Sequence, residues 1–390
     1  MPSNVDSRRG RIALMVAHCA GMVDLIALPL WVGALISHYR FDPQQAGGLA
    51  TLFLLGVVVA SVGLAPRFAR LNGRRVAAVG FAVGAAGFAA AFKVTDYATL
   101  AALHAGSGLG IGAALSVTHG TIARSAQPHR LFALVGIALG FFAVVFLAAT
   151  PQVMAATGAP TLFAVFAGVM LLAAAVAVLA FPAAPAPRQG AETGPAGHAL
   201  PPLDKAVWFG IAGIVCMTVV QAMTFSFLER AGSARGFERQ AINAALVPIG
   251  LVNLFPAALA ALLERHWPAR GVLLVAPLVQ AAITATIMNA SGYPVFAVAV
   301  AVFASVIIFA HTFAFGLLAR LDPTGRAMAA TPAMLMAGSA IGPVLGGTLV
   351  KSLGYGSLGV AAGLMAVVAV ACFSRLPSSA SRSAAHPAAA

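Results

Sequence analysis

Polar side chains are scarce in this sequence, so the few that interrupt its apolar stretches carry most of the chemical information. Asp24 is the one carboxylate placed deep in such a stretch, and His18 precedes it by six residues. His104 and His119 share a second stretch, and Thr218, Gln221 and Thr224 recur at helical spacing in a third. His311 stands beside Phe315 and near Phe309 in a fourth. An ionisable group in hydrocarbon costs several kcal/mol unless it faces a cavity or a partner, so each is a functional candidate. The helical neighbours of Asp24 are Ala17, Ala20, Gly21, Ala27 and Leu28, mostly small side chains that leave room for water or a ligand. A carboxylate in such a place can load and release a proton.

Spacing limits how these groups combine. Six residues put His18 about 9 Å and 120° from Asp24 on a helix, too far to touch it but near enough for a water chain. Fifteen residues put His104 and His119 about 22 Å apart in height, so they cannot share one ligand. His119, close to Arg124, reads as a residue of the inner mouth. Phe225 lies on the Gln221 side of its stretch and offers an aromatic wall. The segment Glu229 to Arg239 holds two acidic and three basic residues and reads as solvated loop charge, with an outer salt-bridge gate as the other reading.

The elements that must position these residues follow from composition. Of 390 residues, 61% are hydrophobic and only 8% charged, with a mean hydropathy of +0.95. A soluble chain devotes roughly a quarter of its residues to charge, so this surface faces lipid. A membrane span needs about 20 apolar residues, and twelve such segments fit: 12–37, 46–65, 75–92, 98–119, 131–150, 160–181, 205–228, 240–263, 271–290, 294–318, 327–350 and 355–374. The first is too long for a signal-peptide core and reads as a retained span. Cys19, Cys216 and Cys372 all fall inside apolar segments, which argues against a disulfide framework. The net charge of +13 sits in short loops between spans and gives no nucleic-acid surface.

The chain divides into residues 1–181, a Pro-, Ala- and Gly-rich linker over 182–204, and residues 205–390, with six spans on each side of the linker. With the N-terminus inside, seventeen of the 23 Lys and Arg residues fall on the inner side and six (Arg40, Lys93, Arg230, Arg235, Arg239 and Lys351) on the outer side. Excess basic charge marks the cytoplasmic side, so both termini and the linker are expected in the cytoplasm of a multi-pass inner-membrane protein. The halves also repeat. ARSAQPHR after span four and ARLDPTGR after span ten align at an offset of 196 residues, and the same offset lays Arg74 on Arg270.

Six plus six helices, a central linker and basic loops after spans two and eight resemble the major facilitator superfamily over about residues 11–375. Its loop signature survives in PRFARLNGRR (Pro66 to Arg75) as Gly73-Arg74-Arg75, but Arg70 stands where the family has Asp and Pro66 where it has Gly. The counterpart in the second half, Glu264-Arg265, keeps an acidic–basic pair. A Gly-Pro-x-x-Gly-Gly pattern that marks span five of proton-coupled exporters appears here in span eleven, as Gly338, Gly342-Pro343 and Gly346-Gly347. Its bland reading is close helix packing around a Pro kink.

The resemblance implies an all-α membrane fold of two pseudo-symmetric six-helix bundles, with spans one, four, seven and ten lining a central cavity. It implies gating loops built from Arg70, Arg74, Arg75, Arg124, Glu264, Arg265, Arg320, Asp322 and Arg326. The expected activity is movement of a small organic solute by alternating access, driven by a proton gradient with no cofactor and no bound metal. Asp24 with His18 would couple protons, and Asp24, Thr218, Gln221, Phe225, His311 and His104 would meet the substrate. One acid in an apolar cavity suits competition between proton and organic cation, which favours an exporter. Alternatives are a proton symporter importing a solute, a divalent-metal carrier using Asp24, His18 and His311, and a receptor that binds without translocation. No enzyme motif is present, and a monomer embedded in the bilayer is expected.

Overall fold

The computed structural model describes residues 5–64, 71–182, 203–264, 266–322, 327 and 331–377, without the side chains of residues 128, 129, 257, 261, 331 and 332. Arg70, Arg265, Arg326 and linker residues 183–202 lie outside the described residues. Among the described residues the elements are fourteen helices. In the first half they are α1 (Arg8–Gly21), α2 (Val23–Ser37), α3 (Pro43–Leu64), α4 (Gly73–Ala91), α5 (Tyr97–Ala123), α6 (Pro128–Thr157) and α7 (Thr161–Ala180). In the second they are α8 (Lys205–Ala234), α9 (Arg239–Val252), α10 (Pro256–Leu263), α11 (Ala269–Asn289), α12 (Tyr293–Leu321), α13 (Thr331–Leu353) and α14 (Ser357–Ser374).

Eleven of the twelve expected spans are helices long and apolar enough to cross a membrane, counting α1 and α2 as one. The eighth, expected as one helix over 240–263, is two. α9 stops at Asn253, and α10 restarts at Pro256, whose missing amide costs nothing in a first helical turn. Span one is also interrupted. The Met22 amide still reaches the carbonyl of His18 at 3.0 Å, but no backbone bond carries the first turn of α2 back onto α1. Large apolar side chains such as Phe141, Val298 and Val360 stand two-thirds or more exposed, as residues facing lipid must.

Within the first half α5 packs on α3 and α4, and α7 on α4 and α1; within the second α8 packs on α13 and α14, and α11 on α14 and α12. Three helix pairs join the halves: α3 with α13, α6 with α9, and α2 with α8. In span numbers these are two with eleven, five with eight, and one with seven. The 196-residue repeat exchanges the first two pairs and maps the third on itself, so the halves meet about a pseudo-two-fold axis.

A second observation supports the duplication. Arg74, in the first turn of α4, donates from Nε and Nη2 to the carbonyl of Phe181 at 3.2 and 3.1 Å, just past the end of α7. Its repeat partner Arg270, in the first turn of α11, donates to the carbonyl of Ser374 at 2.6 Å, the last residue of α14. In each half, the same arginine neutralises orphan carbonyls at the end of the final span.

The glycine pattern of span eleven is a packing device. A Cβ on Gly342 would come within 2.6 Å of the Met223 amide and 2.8 Å of the Val219 carbonyl on α8, and one on Gly338 would collide with Thr218. One on Gly347 would strike the Pro43 carbonyl, and one on Gly47 of α3 the Pro343 carbonyl. Thr51 Oγ1 donates to the Ala340 carbonyl at 2.6 Å and accepts from the Val344 amide at 3.1 Å, which closes the same seam.

Candidate functional site

Asp24 sits in the first turn of α2, two residues past the interruption of span one, and is 1% exposed. Neither carboxylate oxygen has a hydrogen-bond partner among the described residues. Four N-terminal amides of any helix lack carbonyl partners, and their dipoles favour negative charge there. The interruption therefore sets a deep carboxylate at a helix start, on the half of span one that packs against α8 of the other half.

His18 lies near the end of α1, and its partner is His119. The Nδ1 of His18 is 3.0 Å from Nε2 of His119 on α5, with ring centroids 5.1 Å apart. One imidazole must donate its N–H to the other, so the two hold a single shared proton position in either tautomer. His119, expected at an inner mouth, is instead half-buried between α1 and α5, with Phe132 edge-on to its ring. Spacing alone could not reveal the pair, because the two residues lie 101 positions apart.

The remaining candidates fall into three places. His104 is stacked on Trp31 at 5.3 Å and flanked by Phe88 and Phe163, and its Nδ1 lies 2.6 Å from the Leu100 carbonyl. It belongs to the aromatic core of the first half. On α8, Gln221 accepts from Gln280 of α11 at 3.2 Å, and Thr224 meets Thr284 of α11 at 3.1 Å. The expected polar stripe thus faces span nine over part of its length, while Thr218 packs under Gly338 of span eleven and donates to the Val215 carbonyl. Phe225 stacks on Phe303 of α12 at 5.7 Å. His311 stacks on Phe315 at 5.2 Å, and its Nε2 has no partner.

No group of three or more His, Cys, Asp or Glu able to hold a metal exists among the described residues. Asp24, His18 and His311 form no such group. Among the described residues, no Arg or Lys sits in the middle of a span either.

Of the expected gating residues, Arg74 serves as a carbonyl cap. Arg75 is exposed, and its amide donates to the Asn72 cap at 3.2 Å. Glu264 faces Arg320 of α12 at 3.7 Å, joining spans eight and ten within one half. Asp322 is buried and accepts from the Ala327 amide at 2.8 Å, while Arg124 is half-buried at the end of α5.

One carboxylate contradicts its expected place. α8 does not end near 228 but runs to Ala234, so Glu229 is helical and only 8% exposed. The stop signal was in the sequence. Gly236, at φ +82°, lets the Phe237 amide reach back to the Gly232 carbonyl and the Gly236 amide to that of Ser233, a Schellman-type helix end. Among the described residues, the carboxylates buried within helices are thus Asp24 and Glu229, while buried Asp322 lies just past the end of α12. A third residue that sequence reasoning passed over is Asp42. Its carboxylate caps α3 through the Gln45 amide at 2.9 Å and accepts from Lys351 Nζ of α13 at 2.8 Å, tying the halves together.

All these seam contacts lie at one end of the molecule, away from the N-terminus. They use α2 rather than α1, α9 rather than α10, and the stretch of α3 and α13 near Gly47 and Pro343. Among the described residues, α5 and α12 do not pack as a pair. Among the described residues, the helix pairs that join the bundles lie toward that end.

Comparison with known proteins agrees with this architecture. The crystal structure of a D-xylose-proton symporter superposes with a TM-score of 0.73 at 14% identity, covering 95% of this chain and 98% of that one. The nucleoside transporter NupG gives 0.69 at 14% identity, covering 93% and 98%. No curated protein matches the sequence significantly. The sequence profile of the Major Facilitator Superfamily matches residues 13–324. With its two six-span bundles related by a repeat and joined at one end, the chain belongs to the Major Facilitator Superfamily and is a transporter rather than an enzyme.

Proposed function

We propose that the protein is a proton-coupled secondary transporter that moves a small organic solute across the inner membrane by alternating access, with both termini and the linker in the cytoplasm. The observation that supports this most is Asp24: a fully buried carboxylate without a partner, at a helix interruption, on the half-helix that joins the bundles. An unpaired buried charge is costly. Asp24 is therefore neutral when the seam is closed and gives up its proton when water or a cationic ligand reaches it. Gln221, Phe225 and His311 provide polar and aromatic contacts for the solute on the opposite half, and the His18–His119 pair relays protons toward the cytoplasmic end. With the N-terminus inside, the joined end of the bundles is the outer one.

The absence of a mid-span Arg or Lys among the described residues disfavours an organic anion as cargo. It supports an exporter that exchanges protons for an amphipathic or cationic compound. A second reading, proton symport, has the fold likeness to the D-xylose-proton symporter on its side. Proteoliposomes separate them. A pH gradient should drive solute against proton flow in the first case and with it in the second. In either case Asp24→Asn should abolish the gradient-driven movement while leaving counterflow partly intact. Unchanged proton-driven transport in Asp24→Asn would remove Asp24 from the mechanism. In the same vesicles, Gly190→Cys should react only with reagent on the cytoplasmic side.

A further inference from the structure

The transport cycle as drawn uses one carboxylate, yet the seam buries a second. Glu229 lies on α8 against α2, where a Cβ on Gly33 would collide with Glu229 Oε2. That oxygen has no hydrogen-bond partner, and Oε1 receives only a long bond from Ser233 at 3.4 Å. Beside it is a cavity of about 100 Å³ between the halves, lined by Leu30, Gly33 and Ser37 of α2, Met154 of α6, and Arg239 and Asn243 of α9. Such a volume admits water but not a large solute. The charged or titratable groups that face Glu229 are few. Arg230 is its neighbour on α8, Arg239 opens α9, and Tyr355 stands in the turn before α14. Among the described residues, α2, α6, α11, α12 and α13 bring no ionisable group to it, and no ion pair within 4 Å involves it.

We propose that Glu229 is a second proton-binding residue, which closes the α2–α8 seam when protonated and opens it when ionised. A carboxyl pressed on the backbone at Gly33 is tolerable as a neutral acid. As an anion it needs hydration that the closed seam cannot give, and separation of α2 from α8 supplies it through the adjoining cavity, with Arg239 at hand as counter-charge. Nine residues along span one separate Asp24 from Gly33, about 13 Å, so Glu229 stands between Asp24 and the outer face. A proton entering from outside meets Glu229 before Asp24. This role rests on the alternating-access reading above, but its test does not depend on the solute.

The experiment uses the purified full-length protein with Cys19, Cys216 and Cys372 replaced by Ser, and spin labels on Lys93→Cys and Ser352→Cys at the outer ends of the two halves. Distances are measured from roughly pH 5 to pH 9, where exposed carboxylates such as Asp42 stay ionised. In the parent protein the long-distance population should rise at least about fivefold toward high pH. Glu229→Gln, nearly isosteric, should hold the short distance throughout, and Glu229→Asp should restore the pH response. An unaltered pH response in Glu229→Gln overturns the proposal. So does a response that tetraphenylphosphonium evokes at fixed pH while pH itself has no effect, since the carboxylate would then bind cations. Asp24→Asn should keep the pH response even where it loses transport. A response lost in Asp24→Asn but kept in Glu229→Gln would assign the switch to Asp24 alone and overturn the role of Glu229.

Discussion

At the residue scale, the two carboxylates buried within helices, Asp24 and Glu229, lie on α2 and α8, which pack together across the halves. Asp24 could be singled out because one acid in a long apolar run stands out whatever the fold. The His18–His119 pair could not, because it depends on how α1 meets α5. Glu229 reads as loop because LERAGSARGFER lowers hydropathy as a loop does, yet the helix runs through Gly232 to Ala234 and stops only before Gly236. Arg74 shows the same limit in reverse. Its motif placed it in a gating loop, yet the side chain caps the end of α7. Bonds from a charged donor to a carbonyl contribute about 1.5–3 kcal/mol each. Arg74→Ala and Arg270→Ala should therefore each lower stability by about 1–3 kcal/mol, and Arg75→Ala, exposed on the same turn, by much less. Thermal unfolding in detergent checks this, and equal losses at positions 74 and 75 would refute the capping role.

At the element scale, eleven of the twelve spans and their order were readable because apolar length is a local property. The interruptions were not. Pro256 marked the second one, but nothing around Met22 announces the first. Both divide a span into a half that builds the inter-bundle seam and a half that stays within its own bundle, α2 and α9 against α1 and α10. The glycines of span eleven serve that seam rather than a ligand. Overpacking a close crossing costs about 1–3 kcal/mol, enough to shift a two-state balance roughly fivefold to a hundredfold. Gly47→Val, whose side chain would meet the Pro343 carbonyl, should deplete the state closed at the outer end. The short-distance population between labels on Lys93→Cys and Ser352→Cys should fall, while Gly63→Val, with open space around it, should leave it unchanged. A seam that stays closed in Gly47→Val would show that the crossing yields at no cost.

At the scale of the whole molecule, the pseudo-two-fold arrangement constrains what the bundles do next. The pairs α3–α13 and α6–α9 are repeat equivalents, and α2–α8 is its own equivalent, so parting them at the outer end must leave some other surfaces to close. Among the described residues, α5 and α12, the spans that carry His119 and His311, do not pack across the halves. Asp42 and Lys351 form a partly exposed ion pair at the joined end. Burial is the largest single effect and raises the Asp42 carboxyl, but Lys351 and the amides of Gln44 and Gln45 together outweigh it and hold it below the usual carboxylate range. The sign follows. The Asp42 contribution is complete above the ordinary aspartate range of about 4 and is lost as pH falls through the lower value it has in the bridge. Acid should thus loosen this latch below about pH 4, the opposite direction from Glu229, and salt should weaken it because both partners are partly exposed. If the bundles rock as rigid units, labels on Ala126→Cys and Arg320→Cys at the inner ends of spans four and ten must approach whenever labels on Lys93→Cys and Ser352→Cys separate. Lys351→Ala, which frees the outer latch, should shift both pairs together. Separation of the outer pair with no approach of the inner pair would show that α2 and α9 swing alone about their interruptions, and that the bundles do not move as wholes.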